Sequence, residues 1–287
     1  MSVLEHFHHQ ITGQGEAKLV FLHGVMGFSA NWRRIAKQFE ADHRVLVYDQ
    51  RGHGRSFQPP TGYGPEDYAS DLGQILDELG WKEIRLVGHS MGGRAALHFA
   101  ATNPARVTQL VMEDIGPSMS ASGSSLVLEL IDSVPVPFPS KPAARQWFDT
   151  KFMEIFARHP MRKMLAEYLY ANLMENDRKE AVWRFFEPGI RASVEAGRAT
   201  ERWDDFARLS MPTLVVRGEK SKDLPREIYS RMLTENPHAR GVEILGPSDV
   251  AGRQPPDAVV WLKEAGCAHP RARRLSASQA TCATMRR

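Results

Sequence analysis

Residues 84–100 read IRLVGHSMGGRAALHFA, and this stretch decides the fold. Ile84 to Val87 is a short β-rich apolar run of the kind a sheet buries between two layers. Gly88-His89-Ser90-Met91-Gly92 then interrupts it, and residues 90–103 continue as a helix rich in alanine. A serine on so tight a strand-to-helix turn needs small neighbours, because a Cβ at Gly88 or Gly92 would strike the adjoining strand or helix. The turn lifts the Ser90 hydroxyl above the sheet and aims the N-terminus of the helix at it. A GxSxG sequence set between a β-run and a helix therefore predicts a nucleophile at Ser90.

Working outward, further β-rich runs alternate with helical patterns: KLVFLHG from 18, RVLVYD from 44, VTQLVMED from 107, TLVVRG from 213 and GVEIL from 241. The alternation predicts an α/β fold, a mostly parallel sheet with helices on both faces and its active site at the carboxyl ends of the strands. PEDYASDLGQILDELG opens on Pro65 with acids in its first turn, which marks a helix start; residues 29–39 also read as a helix. The gap between Asp114 and Thr213 is too long for one crossover. Residues 118–204 are expected to form a helical cap, interrupted by Pro160 and Pro188, whose aromatic residues serve mainly as packing while a few line an acyl pocket. The core is then 1–117 with 205–266.

Composition narrows the function classes. The 287 residues are 42% hydrophobic and 25% charged, which suits a large globular core. No apolar run is long enough to span a membrane, and MSVLEHFHHQ lacks the pattern of a secretion signal, so a cytoplasmic protein is expected. The formal charge is +3, but Arg271, Arg273, Arg274, Arg286 and Arg287 lie beyond the last acid, Glu264; without those five, residues 1–264 carry −2. Basicity thus belongs to residues 267–287, which read as a disordered tail, and neither a nucleic-acid partner nor a membrane partner is expected. Cys267 and Cys282 are the two cysteines, so no disulfide framework and no metal cluster is anticipated. No cofactor is expected, and the sequence is silent on oligomeric state.

Two more motifs surround the serine. His23-Gly24-Val25-Met26-Gly27 supplies a turn whose Val25 backbone N–H can pair with that of Met91 as an oxyanion hole. DQRGHGRS at 49–56 closes the next strand, and His23 and His53 read as loop-building residues rather than proton carriers. HGxxG, DxRGHGxS and GHSMGG in this order resemble the α/β-hydrolase superfamily, over residues 18 to about 265. Members that open epoxides or remove halides carry aspartate at the elbow, so Ser90 implies acyl transfer through a covalent acyl-enzyme.

The resemblance also implies an acid and a base. Asp114, 24 residues after the serine in VMEDIGP, sits where a small group of bacterial serine carboxylesterases carries its acid, after the sixth strand of the superfamily's own count. Asp223, near the strand that ends in GEK, is the alternative acid. The base of the family is a histidine after the last strand, in a pattern like GHxxHxExP. Aligned on its proline, EILGPSDVAGRQPPD (243–257) places Asp249 there instead. Aspartate, with an ordinary pKa near 3.9, is a weak substitute at neutral pH, and loss of the base can lower turnover by about 10⁶. The expected function is a serine carboxylesterase on small or medium acyl esters, impaired by the missing histidine. Lactonase or thioesterase activity, or a ligand-binding pseudo-hydrolase, is the alternative.

Overall fold

In a computed structural model of the chain, residues 2–118 and 121–244 are described. Nine strands occur among them: β1 (His9–Thr12), β2 (Ala17–Leu22), β3 (His43–Tyr48), β4 (Ile84–His89), β5 (Val107–Glu113), β6 (Leu173–Glu175), β7 (Ala181–Trp183), β8 (Thr213–Gly218) and β9 (Ala239–Ile244). Seven form one sheet in the order β1-β3-β2-β4-β5-β8-β9. Only β1 runs antiparallel, against β3; the other pairs are parallel. The mostly parallel α/β sheet read from the sequence is the sheet observed, with β1 added at one edge. β1 has one aliphatic residue in four, HQIT, so no β-rich run announces it.

Alternation along the strands feeds two apolar layers. Val20 and Leu22 of β2 pack with Leu72, Ile75 and Phe99 on one face, where helices Pro65–Glu78 and Met91–Thr102 lie. Leu19 and Phe21 point the other way, against Trp32, Ile35 and Phe39. Helix Pro65–Glu78 begins as expected, with the Asp67 carboxylate accepting the Gly64 N–H at 2.9 Å. The helix expected over 29–39 is shorter: a 3₁₀ turn, Ser29–Trp32, runs into Arg33–Ala36. The chain then turns, with the Phe39 carbonyl accepting the N–H groups of Asp42 and His43.

The segment between β5 and β8, the expected cap, contains helices Ala121–Ser133, Lys141–Trp147, Arg162–Ala171 and Glu187–Ala199, with the β6–β7 hairpin between the last two. Phe148, Phe152, Phe156, Leu169 and Phe185 build an apolar cluster of its own, so these aromatics pack. Pro188 starts the last of these helices instead of interrupting one; in the first turn its missing N–H costs nothing. Phe206, in helix Trp203–Ala207, packs with the core layer. No described helix is long and apolar enough to cross a membrane.

Candidate active site

The elbow is a tight fit. Ser90, between β4 and helix Met91–Thr102, sits at φ 50° and ψ −118°, a conformation that costs a non-glycine residue about 1–3 kcal/mol. A Cβ on Gly92 would come within 2.6 Å of the Leu22 and His23 carbonyl oxygens, and one on Gly88 within 2.6 Å of Gly93 Cα. Gly24 meets the same constraint from the facing loop, where an added Cβ would come within 2.7 Å of the His89 ring and 3.2 Å of Ser90 Cβ. These glycines let three backbones converge around one hydroxyl.

β5 brings Asp114 alongside. In the parallel register His89 faces Glu113, so Ser90 and Asp114 are the next residues beyond the ladder on neighbouring strands. Asp114 is buried, also left-handed at φ 55°, and its N–H donates to the Val216 carbonyl at 2.8 Å. On the other side of Ser90 the turn Gly24–Gly27 is closed by a Gly27 N–H bond to the Gly24 carbonyl, 2.9 Å. The Tyr168 hydroxyl of the cap donates to the Val25 carbonyl at 3.2 Å and ties this turn to the helix above it. Val25, Ser90 and Met91 line one cavity of about 60 Å³, shared with Tyr68, Arg94, Ile115, Ser193 and Asp223. The structure thus brings together Ser90, Val25, Met91 and Asp223, with Asp114 one register step from the serine. Asp249 lies outside the described residues.

Asp223 and Arg94 give the cavity its electrostatics. Burial and then the nearby Asp114 charge raise the Asp223 carboxyl to about 6. Arg94, four residues after the serine, is almost fully buried, and burial lowers its pKa to about 10, so it stays cationic at neutral pH. Its guanidinium donates to the carbonyls of Gly116 (3.2 Å), Pro117 (3.0 Å) and Thr200 (2.6 Å), which fixes the turn after Asp114 against the end of the cap. Sequence reasoning passed over Arg94; its signal was a cation on the otherwise apolar, glycine- and alanine-rich stretch GGRAALHFA.

Among the described residues, no histidine lines this cavity. His23 accepts the Gln50 N–H on Nε2 at 2.9 Å and places Nδ1 2.8 Å from the Gly24 carbonyl, so both nitrogens serve the loop. Burial lowers His23 to about 4 and His53 to about 3, and both are neutral at physiological pH. His89 is packed beside Gly24, its Nδ1 3.7 Å from Glu113, with a pKa lowered by burial. His98 is engaged by Asp205 at 3.1 Å. The His238 carbonyl accepts the N–H of Thr213, the first residue of β8, so that histidine lies at the far end of the sheet.

A strained serine between a parallel strand and a helix, with glycines packed on both sides, is the geometry expected of Ser90 from the sequence. The family model of the alpha/beta hydrolase fold matches residues 18–247, and the chain belongs to that family. A zebrafish (Danio rerio) sn-1-specific diacylglycerol lipase, ABHD11, is 29% identical over 223 residues, 76% of this chain and 68% of the lipase. A carbamate hydrolase, RutD, assigned in Variovorax paradoxus is 41% identical over 108 residues, of which the match spans 37% of this chain and 41% of RutD. The solved E-2-(acetamidomethylene)succinate hydrolase superposes with a TM-score of 0.75 at 22% identity, over 89% of this chain and 93% of that one. By family and by relatives the chain is a hydrolase.

Proposed function

We propose that the chain is a serine carboxylesterase that cleaves small or medium acyl esters through an acyl-enzyme on Ser90. The observation that carries this reading is the strained Ser90 lining a cavity together with Val25 and Met91, the first residue of helix Met91–Thr102. The Ser90 oxygen attacks the ester carbonyl carbon, and the carbonyl electron pair moves onto oxygen, facing the Val25 and Met91 N–H groups. Collapse breaks the bond to the leaving oxygen, which takes back the proton removed from Ser90 and departs as the alcohol; water then releases the acid by the same route, returning a proton to Ser90. Asp114 is the orienting acid and Arg94 holds its turn.

The serine proton needs an acceptor, and the carboxyl facing the cavity is Asp223, which is ionised above about pH 6. A base with that pKa takes a proton more readily than an ordinary aspartate. Asp249 holds the family's base position in sequence. The cavity volume of about 60 Å³ favours short acyl chains. The proposed partner is a small-molecule ester met in the cytoplasm, with neither nucleic acid nor membrane involved.

The test is a fluorophosphonate probe, weighed by intact mass, alongside turnover of a short-chain activated ester, with Ser90→Ala as control. One adduct per chain, absent in the control, together with Ser90-dependent turnover supports the esterase. A folded protein that binds the ester but gives neither adduct nor turnover is the pseudo-hydrolase.

A further inference from the structure

A second cavity, of about 190 Å³, opens where the cap meets the β1–β3 edge of the sheet, and it shares no lining residue with the Ser90 cavity. Its walls come from four separate segments. β1 and the residue before it supply His8 and Gln10, the turn after the oxyanion loop supplies Phe28 to Ala30 and Arg33, the loop after β3 supplies Asp49 and Arg55, and the end of β7 supplies Arg184. Three guanidinium groups therefore converge with one carboxylate, leaving the cleft two charges positive.

The single carboxylate offsets one of the three charges, and its oxygens are engaged by backbone. Asp49 accepts the Ser29 N–H on one oxygen at 2.7 Å and the Arg55 N–H on the other at 2.9 Å, both from backbone. Arg33, Arg55 and Arg184 form no ion pair within 4 Å among the described residues. Arg33 and Arg55 alone would be solvated surface cations. Arg184 is different: it is half-buried, its guanidinium lies 4.8 Å from the Phe28 ring centre, and its Nε is buried with no hydrogen-bond acceptor. Buried donors are nearly always paired, and three like charges gathered around one counter-charge leave an unfavourable excess. Burial lowers the Arg184 pKa; Asp49 opposes that shift, and the Arg55 charge adds to it more weakly.

We propose that this cleft is a binding site for the doubly charged phosphoryl group of a small phosphorylated molecule, held by Arg33, Arg55 and Arg184. A phosphate monoester carries close to the two negative charges the cleft lacks and offers several acceptor oxygens to planar guanidinium donors. Phe28 supplies an apolar wall beneath Arg184. Arg184 belongs to the cap, whereas Arg33 and Arg55 belong to the core, so the ligand would bridge the two beside the oxyanion turn.

The experiment is isothermal titration of the intact chain with inorganic phosphate and with glycerol 3-phosphate at low, matched ionic strength. One saturable site is expected, unchanged in Ser90→Ala and in Arg198→Gln, an exposed arginine of helix Glu187–Ala199 outside the cleft, and weakened about ten- to a hundredfold in Arg184→Gln and in Arg33→Gln. Arg33→Gln and Arg55→Gln, exposed on the cleft rim, keep the test decisive if Arg184→Gln does not fold. Absence of saturable binding, equal binding by all the cleft variants, or tighter binding of succinate than of phosphate overturns the proposal. So does Arg184-dependent sedimentation with phosphatidic acid vesicles in the absence of free-phosphate binding. The esterase reading stands or falls separately, on the Ser90 adduct.

Discussion

Replacing Ser90 by glycine should remove the nucleophile and stabilise the protein at once. Ser90 is held at φ 50° and ψ −118°, which costs about 1–3 kcal/mol for a residue with a Cβ. Glycine adopts that conformation freely but gives the unfolded chain more freedom, a loss of roughly 0.4–1 kcal/mol. The net gain is about 1–2 kcal/mol. At about 2–4 °C per kcal/mol for a large domain, the melting temperature should rise by roughly 2–8 °C. Ser90→Ala is the proper comparison, since alanine keeps the Cβ and hence the strain. Because the serine side chain caps no helix N–H, Ser90→Ala should stay within about 0.5 kcal/mol of the parent. Calorimetry and an ester assay on the three proteins decide it: both variants should lose turnover, and only Ser90→Gly should melt higher. A Ser90→Gly protein that melts at or below Ser90→Ala would refute the idea that the elbow stores strain.

Asp223→Asn should stabilise the fold above pH 6 and leave it unchanged near pH 4, while lowering ester turnover. The folded pKa of about 6 lies above the ordinary 3.8, so ionisation costs the folded state about 1–3 kcal/mol as pH rises through that window; a pH-independent difference in urea midpoints counts against it. His23 and His53 act in the opposite sense. With folded pKa values of about 4 and 3 against 6.5, their stabilising share is present above pH 6.5 and lost on acidification, at up to about 1.4 kcal/mol per pH unit for each, and a flat stability profile between pH 6.5 and 4 would contradict it. Gly92→Ala, whose Cβ would meet two carbonyl oxygens at 2.6 Å, should cost more than about 3 kcal/mol or prevent folding. Gly73→Ala, in helix Pro65–Glu78 with its nearest contact at 3.6 Å, should gain up to about 1 kcal/mol.

The central parallel strands were legible because each is buried on both faces and so reads as a continuous apolar run; Leu19 to Leu22 is an instance. β1 and the β6–β7 hairpin were not, because four- and three-residue strands at an edge or in a cap need no such run. The elbow was legible from its glycines, since the constraint on Gly88 and Gly92 is steric and local. Arg94 was illegible because its role depends on the carbonyls of Gly116, Pro117 and Thr200, which no spacing rule links to residue 94. The closeness of Asp223 to Asp114 is likewise a property of the β5–β8 pairing and not of either motif.

Four non-glycine residues among those described have positive φ, and three of them, Met26, Ser90 and Asp114, follow β2, β4 and β5 at the same edge of the sheet. Strain of this kind persists only where surrounding structure imposes it. Here the imposing structure is the parallel ladder, the Gly24–Gly27 turn and the glycines packed between them, all within residues 18–118. The conformations of Met26 and Ser90 therefore rest on residues of the first half of the chain. On the proposed esterase reading, two steps that a complete triad couples should come apart. Phosphonylation of Ser90 would draw on the strained turn and its glycines, so Gly24→Ala should slow it. Release of the acyl group would need a proton acceptor for water and should follow the titration of Asp223 near pH 6; a pH-independent release rate would count against that role.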